Sequence, residues 1–323
     1  MAVLVGIDEA GYGPLLGPLV VSSASFSIPD DMLKADLWKV LEHAVGKTKR
    51  NLSGRILITD SKKAHTKASG VTHLRRGVLA ALGCASEKGD FSNNARQLLD
   101  RLCPQCSQRL CNYPWYEKLD ELSLEADNSD IEIASGVLKK ALNNSDMALS
   151  GVRSRCLDVG YYNSQVDKVK NKSNVLFTAL CGLILDELNK APKGEALQVI
   201  VDRQGGRINY ANPLMRMFPG MELTIIKQSA ELSSYEMVGG GRKMRIHFTM
   251  KADLHFLPVS LASMTSKYVR EVLIESLNNY FLGFCPEIKR TAGYWQDGQR
   301  FIKDIDSKIS GLNYDRDKLV RQR

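Results

Sequence analysis

The chain is 323 residues long, 44% hydrophobic and 25% charged, with a formal net charge of +8 and seven cysteines. That length and composition suit a globular protein with room for one large domain or two smaller ones. No apolar stretch approaches the length needed to span a bilayer, and the first residues lack the basic, apolar, small-residue order of a signal peptide, so a cytoplasmic protein is expected. An odd number of cysteines without a secretion signal reads as thiols or metal ligands rather than a disulfide framework. The positive charge permits a polyanionic partner without requiring one.

In chain order, Val3-Leu4-Val5 leads through Gly6-Ile7 to Asp8-Glu9, followed by Ala10-Gly11-Tyr12-Gly13-Pro14 and a second apolar run, Leu15 to Val21. A solvated acidic turn would explain a lone Asp-Glu after a strand. Two adjacent carboxylates at the end of a buried strand are costly unless a cation neutralises them, and hard oxygen ligands suit Mg²⁺ or Mn²⁺. The glycines free the backbone to approach a ligand closely.

Three strand-like runs end on acids: Val3–Ile7 before Asp8, Arg55–Thr59 before Asp60, and Leu197–Val201 before Asp202. Strand ends are where an open α/β sheet presents its binding crevice. Leu223–Lys227 reads as a further strand, Val175–Leu188 and Val259–Phe281 as helices, and Tyr235–Met250 as two strands joined at Gly239-Gly240-Gly241.

From Glu87 to Asn163 the character changes, with Cys103-Pro-Gln-Cys106, Cys111, Trp115 and scattered acids. We read 87–163 as an insertion or cap on a main domain made of 1–86 and 164–323. Cys103, Cys106 and Cys111 form a three-thiolate pattern in want of a fourth ligand, for which Cys84 and Cys156 are candidates. A single Cys-x-x-Cys is moderate evidence for structural zinc, and unliganded thiols are favoured over it. His247 and His255 flank Asp253 without ligand spacing.

The set of motifs resembles the ribonuclease HII family, the type 2 ribonucleases H. Gly6-Ile-Asp8-Glu9-Ala-Gly-Tyr-Gly13-Pro14-Leu-Leu-Gly17-Pro18 is similar to that family's opening motif, and Asp60-Ser61-Lys62-Lys63 to its second block. Val201-Asp202 matches the strand end of its third carboxylate, and Lys251-Ala252-Asp253 its fourth block, normally Lys-Gly-Asp. Ser263, Lys267 and Arg270 fall at its serine, lysine and arginine positions, and Thr291-Ala-Gly293-Tyr294 resembles its C-terminal glycine–tyrosine element.

The resemblance implies a ribonuclease H-like mixed α/β sheet flanked by helices, carrying an inserted cysteine-containing segment. It also implies an endonuclease that hydrolyses the RNA strand of RNA–DNA hybrids or ribonucleotides embedded in DNA. Asp8, Glu9, Asp202 and Asp253 would hold two Mg²⁺ or Mn²⁺ ions, while Asp60 supports the site. Gly11, Tyr12, Gly13, Ser61, Lys62, Lys63, Lys251, Ser263, Lys267, Arg270 and Tyr294 are its substrate-binding candidates. A lysine of this set can equally be a solvated surface charge, and Ser263 can equally cap a helix turn. The chain departs from the family pattern at Tyr12, where an arginine or lysine is usual, and at Trp295-Gln296-Asp297 after Tyr294. Tyr12 therefore leaves sugar specificity open. A non-catalytic nucleic-acid-binding protein of this fold and a nuclease with relaxed sugar selectivity are the alternatives.

Overall fold

The computed structural model describes residues 1–86, 91–192, 194–309, 311–312 and 314–322. Strands β1 (Ala2–Ala10) and β2 (Leu19–Ile28) open the chain. Next come α1 (Leu37–Val40), β3 (Val45–Gly46), β4 (Ile56–Leu57), α2 (Ser61–Ala64) and α3 (Thr72–Cys84). Helices α4 (Ala95–Leu102), α5 (Pro104–Leu110) and α6 (Asn128–Asn143) precede β5 (Ala148–Leu157). They are followed by α7 (Val159–Val169), α8 (Lys172–Lys190), β6 (Ala196–Asp202) and α9 (Ala211–Met217). Strands β7 (Glu222–Gln228), β8 (Leu232–Gly239) and β9 (Arg242–Thr249) lead into α10 (Ala252–His255), α11 (Leu257–Phe284), α12 (Trp295–Lys308) and α13 (Arg316–Leu319).

Seven strands form one mixed sheet in the order β5-β2-β1-β6-β9-β8-β7. β1 is antiparallel to β2 but parallel to β6, and β6 is parallel to β9, so β1, β6 and β9 end on the same side. That common edge gathers Asp8, Asp202 and the turn to Asp253 from far apart in sequence. The glycine turn between β8 and β9 falls where the sequence places it, with Gly240 and Gly241 at φ +58° and +70°.

Alternation along β1 decides what each face buries. Val3, Val5 and Ile7 pack with α8 residues such as Leu180 and Ile184, while Leu4 faces the opposite core built around α11 and α3. Asp8 continues the α11 face and Glu9 the α8 face. Gly6 lets α11 press onto the sheet: a Cβ there would lie 2.2 Å from Pro258 C and Val259 N. This close approach seats the start of α11, and with it the short α10 that carries Asp253, over the end of β1.

One expectation is corrected. The run before Asp60 is only the two-residue β4, paired with β3 in a separate small sheet. Asp60 caps the short α2, which packs against α11 and α3 and lies outside the main sheet. The span 87–163 supplies β5, which is hydrogen-bonded to β2 from Leu157↔Leu19 to Ala148↔Ser27. Leu98, Leu102, Trp115, Leu138 and Val152 join the same apolar core as α11. The sheet needs an outer strand beside β2, and β5 supplies it. Glu87, the expected start of the insertion, lies outside the described residues.

The cysteines also sort differently from the expected trio. Cys103 and Cys106 are buried with their sulfurs 3.2 Å apart, and buried Cys156 of β5 joins them. Hydrogen bonds from Cys103 and Cys156, with Arg109 nearby, lower the Cys106 thiol to about 5. Cys111 is exposed and points to Ser107 O, so Cys103, Cys106 and Cys111 do not converge on one zinc. Cys111 stands five positions after Cys106, more than a helical turn on and just past the end of α5, which turns the two side chains to different sides.

Gly6→Ala puts a methyl group into backbone that cannot yield. It is expected to lower unfolding free energy by about 3 kcal/mol, at the upper end of overpacking costs, read as a fall in urea midpoint. An unchanged midpoint would contradict this packing.

Candidate metal centre

Four acids lie along the common strand edge in a chain of electrostatic reach: Asp202 acts on Asp8 and Glu9, and Asp253 acts on Asp202. Asp8 is 8% exposed; its Oδ1 accepts the Glu9 N–H at 2.8 Å, and Ser263 hydrogen-bonds its carboxylate. Its carbonyl accepts from Ser266 Oγ at 2.9 Å, and Ser266 in turn stands 2.8 Å from Ser22 Oγ. Asp202 Oδ1 accepts the Ala252 N–H at 2.7 Å, which ties the end of β6 to the first residue of α10. Lys251, just before it, turns the chain at φ +54°. That turn delivers Asp253 beside Asp202, and Ser260 Oγ fixes the Asp253 carbonyl.

The electrostatics describe one linked cluster. Burial, then Glu9 and Asp202, hold the Asp8 carboxyl well above the usual carboxylate range. Burial and Asp202 push Glu9 up to about 7. Asp202 is pushed up to about 6, mainly by burial, with Asp253 adding to it and the Ala252 N–H and Lys62 opposing. Asp253 is raised by burial and by Asp60 and lowered by Lys62. Uncompensated negative charge at a half-dry site is what a divalent cation relieves, and an all-carboxylate donor set suits a hard ion such as Mg²⁺ or Mn²⁺. The donor chemistry therefore fits. Among the described residues, no group of three or more His, Cys, Asp or Glu side chains is arranged so that it could hold a metal ion.

The substrate-binding candidates divide in two. Ser61, Lys62 and Lys63 form the short α2, which Asp60 caps by accepting the Lys62 N–H at 2.8 Å. Ser61 Oγ lies 3.0 Å from Ser263 Oγ, so this turn borders Asp8. Lys62, Lys63 and Lys251 are exposed. Gly11, Tyr12 and Gly13 lie at the rim: Gly11 has φ +88° and a Cβ there would meet Pro18 O at 2.5 Å, whereas Gly13 is open. Tyr294 is 54% exposed, with the Arg270 guanidinium 5.8 Å from its ring centroid.

Lys267 and Arg270 stand elsewhere than at an open phosphate groove. Lys267 Nζ is bound to Glu271 at 2.6 Å. Arg270 is 1% exposed and donates to the Leu16 and Ala292 carbonyls at 3.1 and 3.0 Å. It is a strut under the glycine loop, because α11 runs through the core and its polar side chains must bond inward. Gly293 O accepts the N–H groups of Leu15 and Leu16, and Arg321 N donates to Leu15 O, so the C-terminal segments brace the same loop. Glu271, Ser266 and Arg321 were not singled out from sequence. The signal available for Glu271 was its i,i+4 spacing from Lys267.

Comparison with protein-family models and with curated proteins finds no match. Among solved structures, the chain is similar to the RNase HII of Archaeoglobus fulgidus, solved as a complex with PCNA. Identity is 16%, with 99% of this chain and 94% of that chain covered and a TM-score of 0.46. It is also similar to the ribonuclease H2 of Pyrococcus horikoshii OT3, at 17% identity, covering 99% of this chain and 92% of that one, with a TM-score of 0.39. A third is Bst-RNase HIII in complex with Mn²⁺, at 13% identity, 99% and 66% coverage and a TM-score of 0.42. Among the described residues, no helix is long and apolar enough to cross a membrane.

The raised acids have a thermodynamic consequence. Folded Glu9 and Asp202 keep protons up to about 7 and about 6, whereas in the unfolded chain they release them near roughly pH 4. The folded state binds more protons through that window, so their contribution turns against folding as pH rises. Glu9→Gln removes one such charge. In EDTA it is expected to gain stability over wild type by roughly 1–3 kcal/mol at pH 8 and by less at pH 5, measured by urea unfolding. Adding Mg²⁺ or Mn²⁺ should stabilise wild type at pH 8 more than the variant. A Glu9→Gln gain that does not grow with pH would contradict the shared-charge description.

Proposed function

We propose that this chain is a metal-dependent endonuclease of the ribonuclease H type that hydrolyses RNA paired to DNA. Its substrates are RNA–DNA hybrids or ribonucleotides embedded in DNA. The observation that carries the reading is the placement of Asp8 and Glu9 at the end of β1, Asp202 at the end of β6 and Asp253 in α10, with burial first and then Glu9 and Asp202 raising Asp8, Asp202 raising Glu9 and Asp253 raising Asp202.

Two divalent ions bound by these four carboxylates would supply Lewis-acid activation of water and neutralise charge on the phosphate oxygens. The remaining work belongs to the chain's own residues. Ser266 and the Gly6 contact with α11 hold Asp8 in place, and the Ala252 N–H orients Asp202. Lys62 faces Asp202 and Asp253 from α2, where its ammonium can meet a substrate phosphate oxygen without blocking the carboxylates. The backbone of Gly13, exposed and with open space where a Cβ would stand, is free to approach a sugar. Tyr294, exposed and standing on Arg270, offers a ring face to the strand.

A nuclease of the same chemistry with relaxed sugar selectivity is the second reading, favoured by Tyr12. Its ring brings a flat face and one hydroxyl to a turn that otherwise offers only backbone donors.

Asp202→Asn removes a ligand and leaves the basic residues untouched. It is expected to lower kcat by two orders of magnitude or more, since a metal supplies several kcal/mol and each ~1.4 kcal/mol is tenfold. Hybrid binding in EDTA should stay within about threefold of wild type, because phosphate contacts carry most affinity. Near-full turnover at saturating Mg²⁺ or Mn²⁺ would reject the assignment.

A further inference from the structure

Beside the Gly-Tyr-Gly turn, on the Glu9 side of the sheet, lies a cluster of cations that the assignments above do not use. Lys172, the exposed first residue of α8, has its Nζ 5.3 Å from the Tyr12 ring centroid. Arg207 lies over Phe177 and Tyr210, with its guanidinium carbon 5.6 Å from each ring centroid. Its Nη2 donates to Ser173 Oγ at 3.0 Å, while its Nη1 is buried without a partner. Arg203, just after Asp202, donates from Nε to the Arg207 carbonyl at 2.8 Å.

None of these three is within 4.0 Å of a carboxylate among the described residues, whereas Arg109, Arg155 and Arg300 are each anchored to one at 2.7 to 2.8 Å. Between Arg203 and Arg207, Gln204 is 8% exposed and neither its amide oxygen nor its amide nitrogen has a partner. Gly205 and Gly206 follow it, exposed and with open space where a Cβ would stand.

Such a group is unbalanced in charge and in hydrogen bonding. Buried donors without acceptors are unfavourable, and a planar guanidinium held on aromatic faces is prearranged for an oxyanion. Open glycine backbone admits the ligand closely. Tyr12 packs beside this group, within electrostatic reach of both Arg207 and Glu9. The ligand that suits neighbouring cations, free donors and a ring, next to an acid cluster made for metal ions, is a nucleic-acid strand.

We propose that Arg207 and Lys172, with Tyr12 alongside, grip a backbone phosphate of the substrate strand on the Glu9 side of the metal centre. This rests on reading the site as a nuclease. The cations act in ground-state binding, so they set substrate affinity and leave the chemical step alone.

The test is hybrid binding by fluorescence anisotropy in EDTA across a KCl series, together with cleavage kinetics in Mg²⁺. The proteins compared are wild type, Lys172→Gln, Arg207→Lys, Arg207→Met and the Lys172→Gln/Arg207→Met pair. Lys118→Gln, on the far insertion surface and paired with Glu121, is the control. Each lost cation should flatten the slope of log Kd against log salt by about one and weaken binding roughly tenfold at fixed salt. Arg207→Lys should keep the wild-type slope, and kcat should stay within about threefold. A double variant with wild-type Kd and slope overturns this assignment while leaving the nuclease reading intact. Wild type that neither binds nor cuts any hybrid overturns both. Lys172 is exposed, so its single variant decides the matter even where Arg207→Met does not fold.

Discussion

The structure is organised around like charge. Asp8 and Glu9 leave the end of β1 on opposite faces, and Asp202 and Asp253 arrive beside them from β6 and α10. Burial, and after it repulsion between neighbouring acids, holds Asp8, Glu9 and Asp202 above the ordinary carboxylate range. Such a cluster forms only because the surrounding packing is strong enough to impose it. That packing is the direct seat of α11 on Gly6, with the apolar faces of β1 locked between α11 and α8. Stability is thereby given up at one edge of the sheet, and a divalent ion would restore it.

The other devices around the cluster follow from that constraint. The Ala252 N–H on Asp202 and the Ser266 hydroxyl on the Asp8 carbonyl fix the acids through backbone geometry rather than by counter-charges. Positive charge is kept at one remove: Lys62 faces the acids from α2, Arg270 is buried under the glycine loop, and Lys267 is tied to Glu271. Neutralising the cluster internally with arginine would fill the place a metal ion needs. Of Lys62, Arg270 and Lys267, Lys62 alone is exposed beside the acids.

Much of this was legible in the sequence, for physical reasons. β-Branched runs ending on Asp8 and Asp202 mark strand ends at the edge of a mixed sheet, and the periodicity of α8 and α11 is plain because each covers a whole face of it. Three glycines between two alternating segments leave a hairpin as the simple solution. β5 stayed hidden because its inward positions are mixed: Val152, Ser154 and Cys156 alternate with Arg153 and Arg155, and two of the three inward residues are not aliphatic. The alternation was there to be read in period though not in hydrophobicity. Asp60 misled in the other direction, since a β-branched run is compatible with a two-residue strand in a side sheet. Lys267 and Arg270 show that residue type at helical spacing cannot say whether a cation faces solvent or the core. The Arg203–Arg207 loop passed unnoticed because its unpaired state depends on what α8 brings to it.

The central claim is that the four acids form a metal-dependent centre for cutting RNA held against DNA. Its most direct test is cleavage of matched duplexes carrying no ribonucleotide, one, or a continuous RNA strand, each with Mg²⁺, with Mn²⁺ and with EDTA. The account predicts cutting at ribonucleotides only when metal is present, and none of the all-DNA duplex. Cleavage that persists in EDTA, or no cleavage of any ribonucleotide-containing duplex with either metal, would contradict it.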